Sequence, residues 1–388
     1  MSFHFTTLPE FQMSLLLLAA LGGYFLAARI NQSAVIGQIF LGLIIGPSFL
    51  SLITYTDFVQ NIAHLGAIIL LFVIGSEFKI KDIFNLRYGV IALVGVIVPW
   101  IGGYFTAKAF GFNFQTALFT GTALTATSIA ITANVLKEMG KLHTEAAKAI
   151  IGAAVIDDVL GLLALSITQQ LVDKGTLSVG AVLLPTLKAG LFVVIGLYIG
   201  QKFLSKWMER MDQSAFCQKH PEFVFILAMM IAFVYSMAAE LLHLSAIVGA
   251  FMAGISLGGA VIRRSKDFRH GSEYLSTIFA AVFFVSLGIL VDIHVVTPTI
   301  IGFLFVLTIV AVITKVGGCY IPAKWMGMSK RDAAVVGFGM SPRGEVAMIV
   351  GLIGLHQGLI TQEIYAAIIF MSLLTTILTP IVLRRIYQ

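Results

Sequence analysis

Residues 147–167 read AKAIIGAAVIDDVLGLLALSI. About 20 apolar residues suffice for a helix to cross a bilayer, and this run has that length. Asp157 and Asp158 nevertheless stand side by side in its middle. A carboxylate at bilayer depth costs roughly 2.5–3.5 kcal/mol on insertion scales, and two neighbours also repel each other. Such a pair requires water, a cation or a basic partner at mid-membrane. The default meaning of an intramembrane acid is an ion or proton site. A pair kept only to hold helices together is the plainer alternative, but one carboxylate would serve for that.

The rest of the chain has the same character. Of its 388 residues 59% are hydrophobic and 11% charged, with a mean hydropathy of +0.98. Soluble domains carry about 25% charged residues, so an integral membrane protein is expected and a soluble enzyme excluded. The apolar runs are continuous rather than alternating, which predicts an all-α polytopic protein and not a barrel. Cys217 lies in a polar connector and Cys319 in an apolar run, and no disulfide is expected between them. The first apolar run has no basic segment before it, so it is read as a retained span.

Thirteen runs of spanning length are expected, at about 9–29, 33–52, 58–78, 87–108, 114–136, 146–171, 178–201, 222–241, 244–262, 273–292, 297–323, 332–355 and 361–383. The basic residues test that count. Odd-numbered connectors and the tail hold 20 of the 25 Lys and Arg, whereas the N-terminus and even-numbered connectors hold only Lys108 and Lys174. Lys188, Lys315 and Arg343 lie inside spans. Basic connectors stay cytoplasmic, so the net charge of +6 marks a membrane face and is no nucleic-acid signal. The alternation predicts a multi-pass protein of the inner (cytoplasmic) membrane, N-terminus outside and C-terminus cytoplasmic. The longest connectors, about 202–221 and 263–272, are of loop size. Residues 1–388 are therefore read as a single membrane transporter domain with no soluble regulatory domain.

An internal repeat is visible. AVIGQIFLGLIIG (34–46) superposes on AIVGAFMAGISLG (246–258), and at a slightly larger offset FVIGSEFKI (72–80) superposes on VSLGILVDI (285–293). The second copy begins seven spans after the first, an odd number, so the two halves have opposite topology. Inverted six-helix repeats with a linker helix follow, an arrangement in which broken helices meet near the midplane. The two interruptions are GTALTATS (121–128) in span five and GFGMSPRGE (337–345) in span twelve. Pro342 removes a backbone donor there.

Asp157 and Asp158 are about 100° apart on a helix, so one can face a basic partner while the other faces a water-filled cavity. Lys315 lies deep in span eleven, beside Gly317 and Gly318 that permit close helix approach. Paired with Asp157 it would neutralise one charge and leave Asp158 to titrate or bind a cation; snorkelling to an interface is its plainer reading. Arg343 and Glu345 flank Gly344 and can pair with each other or with the interrupted backbone. Thr127 and Ser128 offer oxygens suited to a hard cation, although Ser and Thr in membrane helices often bond their own backbone. Glu77, Glu240 and Lys108 sit near span ends and read as solvated. The histidines at 143, 220, 243, 270, 294 and 356 have no metal-ligand spacing.

The combination VIDDV (155–159), TATS (125–128), IGQIFLGLIIGPS (36–48), FFVSLGILVDI (283–293) and SPRGE (341–345) resembles the second monovalent cation:proton antiporter family, and most closely its NapA-type and GerN-type bacterial Na⁺/H⁺ antiporters. The resemblance implies an NhaA/NapA-like antiporter fold with 13 transmembrane helices and two crossed broken helices. It implies a homodimer, with a dimerisation part formed by spans about 9–78 and 222–292, a linker helix at about 178–201, and a mobile ion-translocating core at about 87–171 and 297–383. It also implies that Asp158 alternately binds Na⁺ or H⁺, that Asp157 and Lys315 form a switchable ion pair, and that Thr127 and Ser128 support the cation. Arg343 and Glu345 are expected to take part in coupling or charge compensation.

The expected function is electrogenic exchange of Na⁺ or Li⁺ for H⁺, with no cofactor and no enzymatic activity. The lipid bilayer, monovalent cations and protons are its partners, and no nucleic acid is. Salt tolerance, pH homeostasis and spore germination are all compatible with it. A K⁺/H⁺ or mixed Na⁺–K⁺/H⁺ antiporter is the near rival, since these ligands do not separate the two cations. A sodium-coupled organic anion symporter on the same fold is a more distant one. An intramembrane aspartyl protease is disfavoured, because its two acids must converge from different helices.

Overall fold

A computed structural model describes residues 8–388 apart from 84, 86, 175, 176, 221 and 259–265. The side chains of residues 82, 173, 174, 218, 266–269, 299 and 345 also lie outside the described residues. Arg263 and Arg264 of the charge count, and the side chain of Glu345, fall among these.

The described chain is helical, with no strand among the described residues. In the first half, α1 spans Pro9–Arg29, α2 Ala34–Ile45, α3 Asp57–Ser76, α4 Ile80–Ile83, α5 Tyr88–Ala109, α6 Phe114–Ala123, α7 Ile129–Glu138 and α8 Glu145–Lys174. Helix α9 (Val179–Ile199) runs through a wide turn at Gly200–Leu204 into α10 (Ser205–Asp212), and α11 is Ala215–Lys219. The second half comprises α12 Glu222–Leu241, α13 Ala246–Leu257, α14 Lys266–Ile289, α15 Pro298–Trp325, α16 Lys330–Gly339, α17 Glu345–His356 and α18 Gln362–Tyr387. Among the described residues nine helices are long and apolar enough to cross a bilayer; α2 and α13 are shorter apolar helices.

Local chemistry sets the boundaries. Side-chain oxygens of Ser33, Thr56, Asn113, Ser245, Ser329 and Thr361 accept backbone N–H bonds at the starts of α2, α3, α6, α13, α16 and α18, where the first turn has no intrahelical partners. The apolar run 33–52 is not helical throughout. Gly46 precedes Pro47 and is extended, ψ −172°, as a residue before proline prefers, so α2 stops at Ile45. The chain then turns, with Leu50 donating to the Ile44 carbonyl at 2.9 Å.

Small residues let backbones approach, as is usual between membrane helices, and these contacts recur in pairs. A Cβ added at Gly42 in α2 would stand 2.0 Å from the Val285 carbonyl oxygen in α14. One added at Gly254 in α13, 212 residues on, would stand 2.2 Å from the Phe72 carbonyl oxygen in α3. Likewise a Cβ added at Gly37 would overlap the Gly23 carbonyl oxygen, and one added at Gly249 that of Tyr235. Around these contacts α2, α3, α13 and α14 pack together, α1 lying on α2 and α12 on α13. Helices α5 and α15 lie along each other, and α6, α8, α16, α17 and α18 pack around them.

Candidate functional site

The two interruptions predicted from sequence are present. Helix α6 ends at Ala123 and α7 begins at Ile129; α16 ends at Gly339 and α17 begins at Glu345. The non-helical segments cross each other. The Ser128 amide donates to the Pro342 carbonyl at 2.9 Å, and the Thr132 hydroxyl to that of Gly339 at 2.6 Å. A Cβ at Gly344 would stand 2.6 Å from the Ser128 side chain, so only glycine fits this approach. Helix α6 is held against its neighbours by a hydroxyl chain. Trp100 Nε1 donates to Thr122 Oγ1 at 3.1 Å, and Thr122 lies 2.6 Å from the hydroxyl of Thr168 in α8.

Breaking a helix inside hydrocarbon strands its last carbonyls, which must find donors within the protein. Two buried cations supply them. Lys315 Nζ donates to the Thr125 carbonyl at 2.8 Å. Arg343 Nη1 donates to the same carbonyl at 3.3 Å and to that of Ala126. Positive charge at the carboxyl end of a helix also complements its dipole. Arg343 therefore reaches the backbone of the other broken helix, one of the two pairings its position allowed. Its own backbone is fixed by Thr375, which accepts from its amide at 3.1 Å, and by Thr376, whose hydroxyl donates to its carbonyl at 2.9 Å.

Lys315 Nζ also bonds Asp157 Oδ1 at 2.8 Å, with neither side chain exposed. The space for the lysine comes from α5. A Cβ at Gly95 would stand 2.7 Å from Cys319 Sγ and 3.8 Å from Lys315 Cε. Of the two glycines near Lys315, Gly318 approaches the Val94 carbonyl oxygen, whereas Gly317 faces open space. The expectation that both serve helix approach is therefore corrected to one.

Asp158 faces the other way. It is partly buried and lines a cavity of about 900 Å³ together with Thr125, Ala126 and Gly161. The cavity runs to the end of the bundle where α3 begins and α12 ends, past Gln60 and His64 of α3, Gln169 of α8 and Glu240 of α12. Thr127 and Ser128 are not among its lining residues. The Thr127 hydroxyl bonds the Met340 carbonyl at 3.4 Å, and Ser128 is buried at the crossing. The residues of the broken helix beside Asp158 are instead Thr125 and Ala126. With the side chain of Glu345 outside the described residues, the structure brings Asp157, Lys315 and Arg343 together around the α6 carboxyl end and puts Asp158 on the cavity side.

A family model described as "Sodium/hydrogen exchanger, transmembrane" matches residues 16–388. The chain belongs to this family. Among curated exchangers it is 30% identical to the Na⁺/H⁺–K⁺ antiporter GerN of Bacillus cereus, covering 96% of this chain and 95% of that one. It is 32% identical to a Na⁺/H⁺ antiporter of Enterococcus hirae, covering 96% of each. Among solved structures, the sodium proton antiporter MjNhaP1 of Methanocaldococcus jannaschii at pH 8 matches with a TM-score of 0.69 at 20% identity, over 97% of this chain and 95% of that one. At that identity the likeness establishes a shared fold. It agrees with the all-helical reading.

Several groups at this candidate site escaped the sequence reading. The Thr125 and Ala126 carbonyls act through the backbone, which side-chain identity does not reveal. Gly95 acts by lacking a side chain, and nothing near it in sequence points to α15. Glu77 and Glu240, expected to be solvated near span ends, are exposed there; Glu77 lies 3.5 Å from Lys137 and 3.7 Å from His143, and Glu240 lies 3.2 Å from His64.

Proposed function

We propose that this exchanger trades cytoplasmic Na⁺ or Li⁺ for external H⁺ by alternating access, with Asp158 as the carrier. The observation that carries the reading is the division of labour between adjacent acids: Asp157 is locked on Lys315, and Asp158 opens on the cavity. A carboxylate in a wet cavity can bind a proton or a hard monovalent cation, one excluding the other. Protons entering from the cavity neutralise Asp158 and Asp157, one on each, and the Asp157–Lys315 pair opens with the lysine still an ammonium. Facing the cytoplasm, the site exchanges those protons for a cation and the pair re-forms. Two protons against one Na⁺ move one net charge, coupled to the membrane potential at about 2.3 kcal/mol per 100 mV. Thr127 and Ser128 complete the cation site in the conformations that close around it, and Arg343 and Glu345 take part in charge compensation.

Several features support the finer architecture. Thirteen crossings result when α2, α13 and the two interrupted pairs α6–α7 and α16–α17 join the nine long helices. The glycine contacts repeated 212 residues apart support inverted repeats. The same contacts bind α1–α3 to α12–α14, supporting a dimerisation part of about 9–78 and 222–292, linked by α9 to a mobile core of about 87–171 and 297–383. Basic connectors put the N-terminus outside and the C-terminus in the cytoplasm of the inner membrane. The cavity opens at the opposite face, so the structure is read as outward-facing. The assembly is a homodimer in the bilayer.

A mixed Na⁺–K⁺/H⁺ exchanger is the second reading, favoured by the name of the Bacillus cereus relative. A dye reporting pH in proteoliposomes, challenged in turn with Na⁺, Li⁺, K⁺ and organic anions, decides between them. Proton release on Na⁺ and Li⁺ addition is expected. A response to K⁺ of equal size selects the mixed exchanger, and no response to any cation overturns the proposal.

A further inference from the structure

At the open end of the cavity His64 of α3 and Glu240 of α12 meet, Nε2 to Oε1 3.2 Å, a contact that is an ion pair when the imidazole carries a proton. The side chains are 45% and 54% exposed, and both line the same cavity as Asp158. His243, just past the end of α12, lies on the same wall. Among the described residues the titratable groups lining the cavity are Tyr55, His64, Asp158, Glu240, His243 and Tyr365. Asp57 at the start of α3 and the Asp292–His294 pair after α14 belong to the same end of the bundle but not to the cavity wall.

Tyrosine hydroxyls are ordinarily neutral near pH 7, so the charge of the mouth is set by one carboxylate and two imidazoles. With both histidines neutral the mouth carries one negative charge. With both protonated it carries one positive charge. The amides of Gln60 and Gln169 line the same cavity and supply neutral oxygens of the kind hard cations accept.

We propose that Glu240 is an outer cation site that a proton on His64 switches off. With His64 neutral, the Glu240 carboxylate holds a monovalent cation that has left Asp158 and slows its departure. With His64 protonated, the imidazolium takes the carboxylate and the cation is released. External acid, which drives protons toward Asp158, thereby also clears the exit path. The inference rests on the proposed function, which makes this cavity the external one.

The test uses the full chain in oriented proteoliposomes. Half-saturating Na⁺ is measured from the cavity side at about pH 5.5 and about pH 7.5, within the histidine range, with the opposite side clamped. Glu240→Gln is expected to raise the cavity-side value about threefold at the higher pH, the scale of a half-exposed charge. It should leave the value at the lower pH, and that of the opposite face, unchanged. His64→Gln is expected to keep the low value at the acid pH, and it carries the test if Glu240→Gln fails to fold. An exchanging Glu240→Gln or His64→Gln chain with the parent's ratio between the two pH values overturns the outer site alone. Absence of exchange in the parent chain overturns the function itself.

Discussion

The Lys315 ammonium lies 2.8 Å from the Asp157 carboxylate, both side chains fully buried, and spends a second hydrogen bond on the Thr125 carbonyl. One side chain thus neutralises an acid and closes the open end of a broken helix. Burying two charges is repaid only when the partners and their remaining hydrogen bonds are in place, and removing one partner typically costs about 3–5 kcal/mol. Lys315→Ala is expected to lower the thermal unfolding temperature in detergent, and Asp157→Ala added to it to recover part of the loss. A double variant no more stable than the single would show that the pair is not what stabilises this region. In transport, Lys315→Ala is expected to abolish net charge movement or shift the pH profile, read as membrane current. An unchanged current and profile would remove Lys315 from the mechanism.

Asp158 is the group to separate from that pair. Asp158→Asn keeps side-chain shape on a partly buried cavity wall and does not touch the Lys315 bond to Asp157. Folding is expected to be unchanged, with exchange in proteoliposomes abolished for Na⁺ and Li⁺ alike. Normal sodium-driven proton flux in a folded Asp158→Asn chain would overturn the carrier assignment.

Much of this was legible in the sequence, for physical reasons. Continuous apolar runs and the Asp157–Asp158 doublet announce membrane helices with a charged interior, because hydrocarbon tolerates neither exposed backbone nor unpaired charge. The Gly/Thr/Ser run at 121–128 and Pro342 mark the breaks, because those residues loosen or forbid helical hydrogen bonding. Lys315 could be matched to Asp157 because few basic residues lie inside spans. Less legible was what depends on the third dimension. Asp158 shares its wall with Thr125 and Ala126 rather than Thr127 and Ser128, because where the helix unwinds the 100° periodicity no longer predicts direction. The role of Gly95 needs the facing helix α15, and the His64–Glu240 pair joins residues 176 positions apart.

Arg343 reaches the Thr125 and Ala126 carbonyls, just past α6, through Nη1 alone, from a rigid planar guanidinium whose placement lysine does not reproduce. Arg343→Lys retains the charge but offers a different donor geometry at the Thr125 and Ala126 carbonyls. Arg343→Gln removes the charge as well. Both are expected to raise half-saturating Na⁺, with Arg343→Gln also costing about 1–3 kcal/mol of stability through unsatisfied buried carbonyls. Paired sodium titrations and melting curves check this. Wild-type values in Arg343→Gln would show that the broken helix keeps its shape without the guanidinium.

The space around Lys315 gives the last prediction. Gly95 has no room for a side chain, since even a methyl would press on Cys319 Sγ at 2.7 Å and then meet Lys315 Cε. Gly317, two residues from the same lysine, faces open space. Overpacking in a tight interior costs about 1–3 kcal/mol. Gly95→Val is therefore expected to lower the unfolding temperature and to disturb the Asp157–Lys315 pair, so that residual exchange shows a shifted pH profile. Gly317→Ala should match the parent in both measurements. A Gly95→Val chain that is destabilised but keeps the parent's pH profile would mean that α5 supports the fold without positioning Lys315. A parent-like Gly95→Val chain would mean that α5 and α15 part readily enough to admit a side chain.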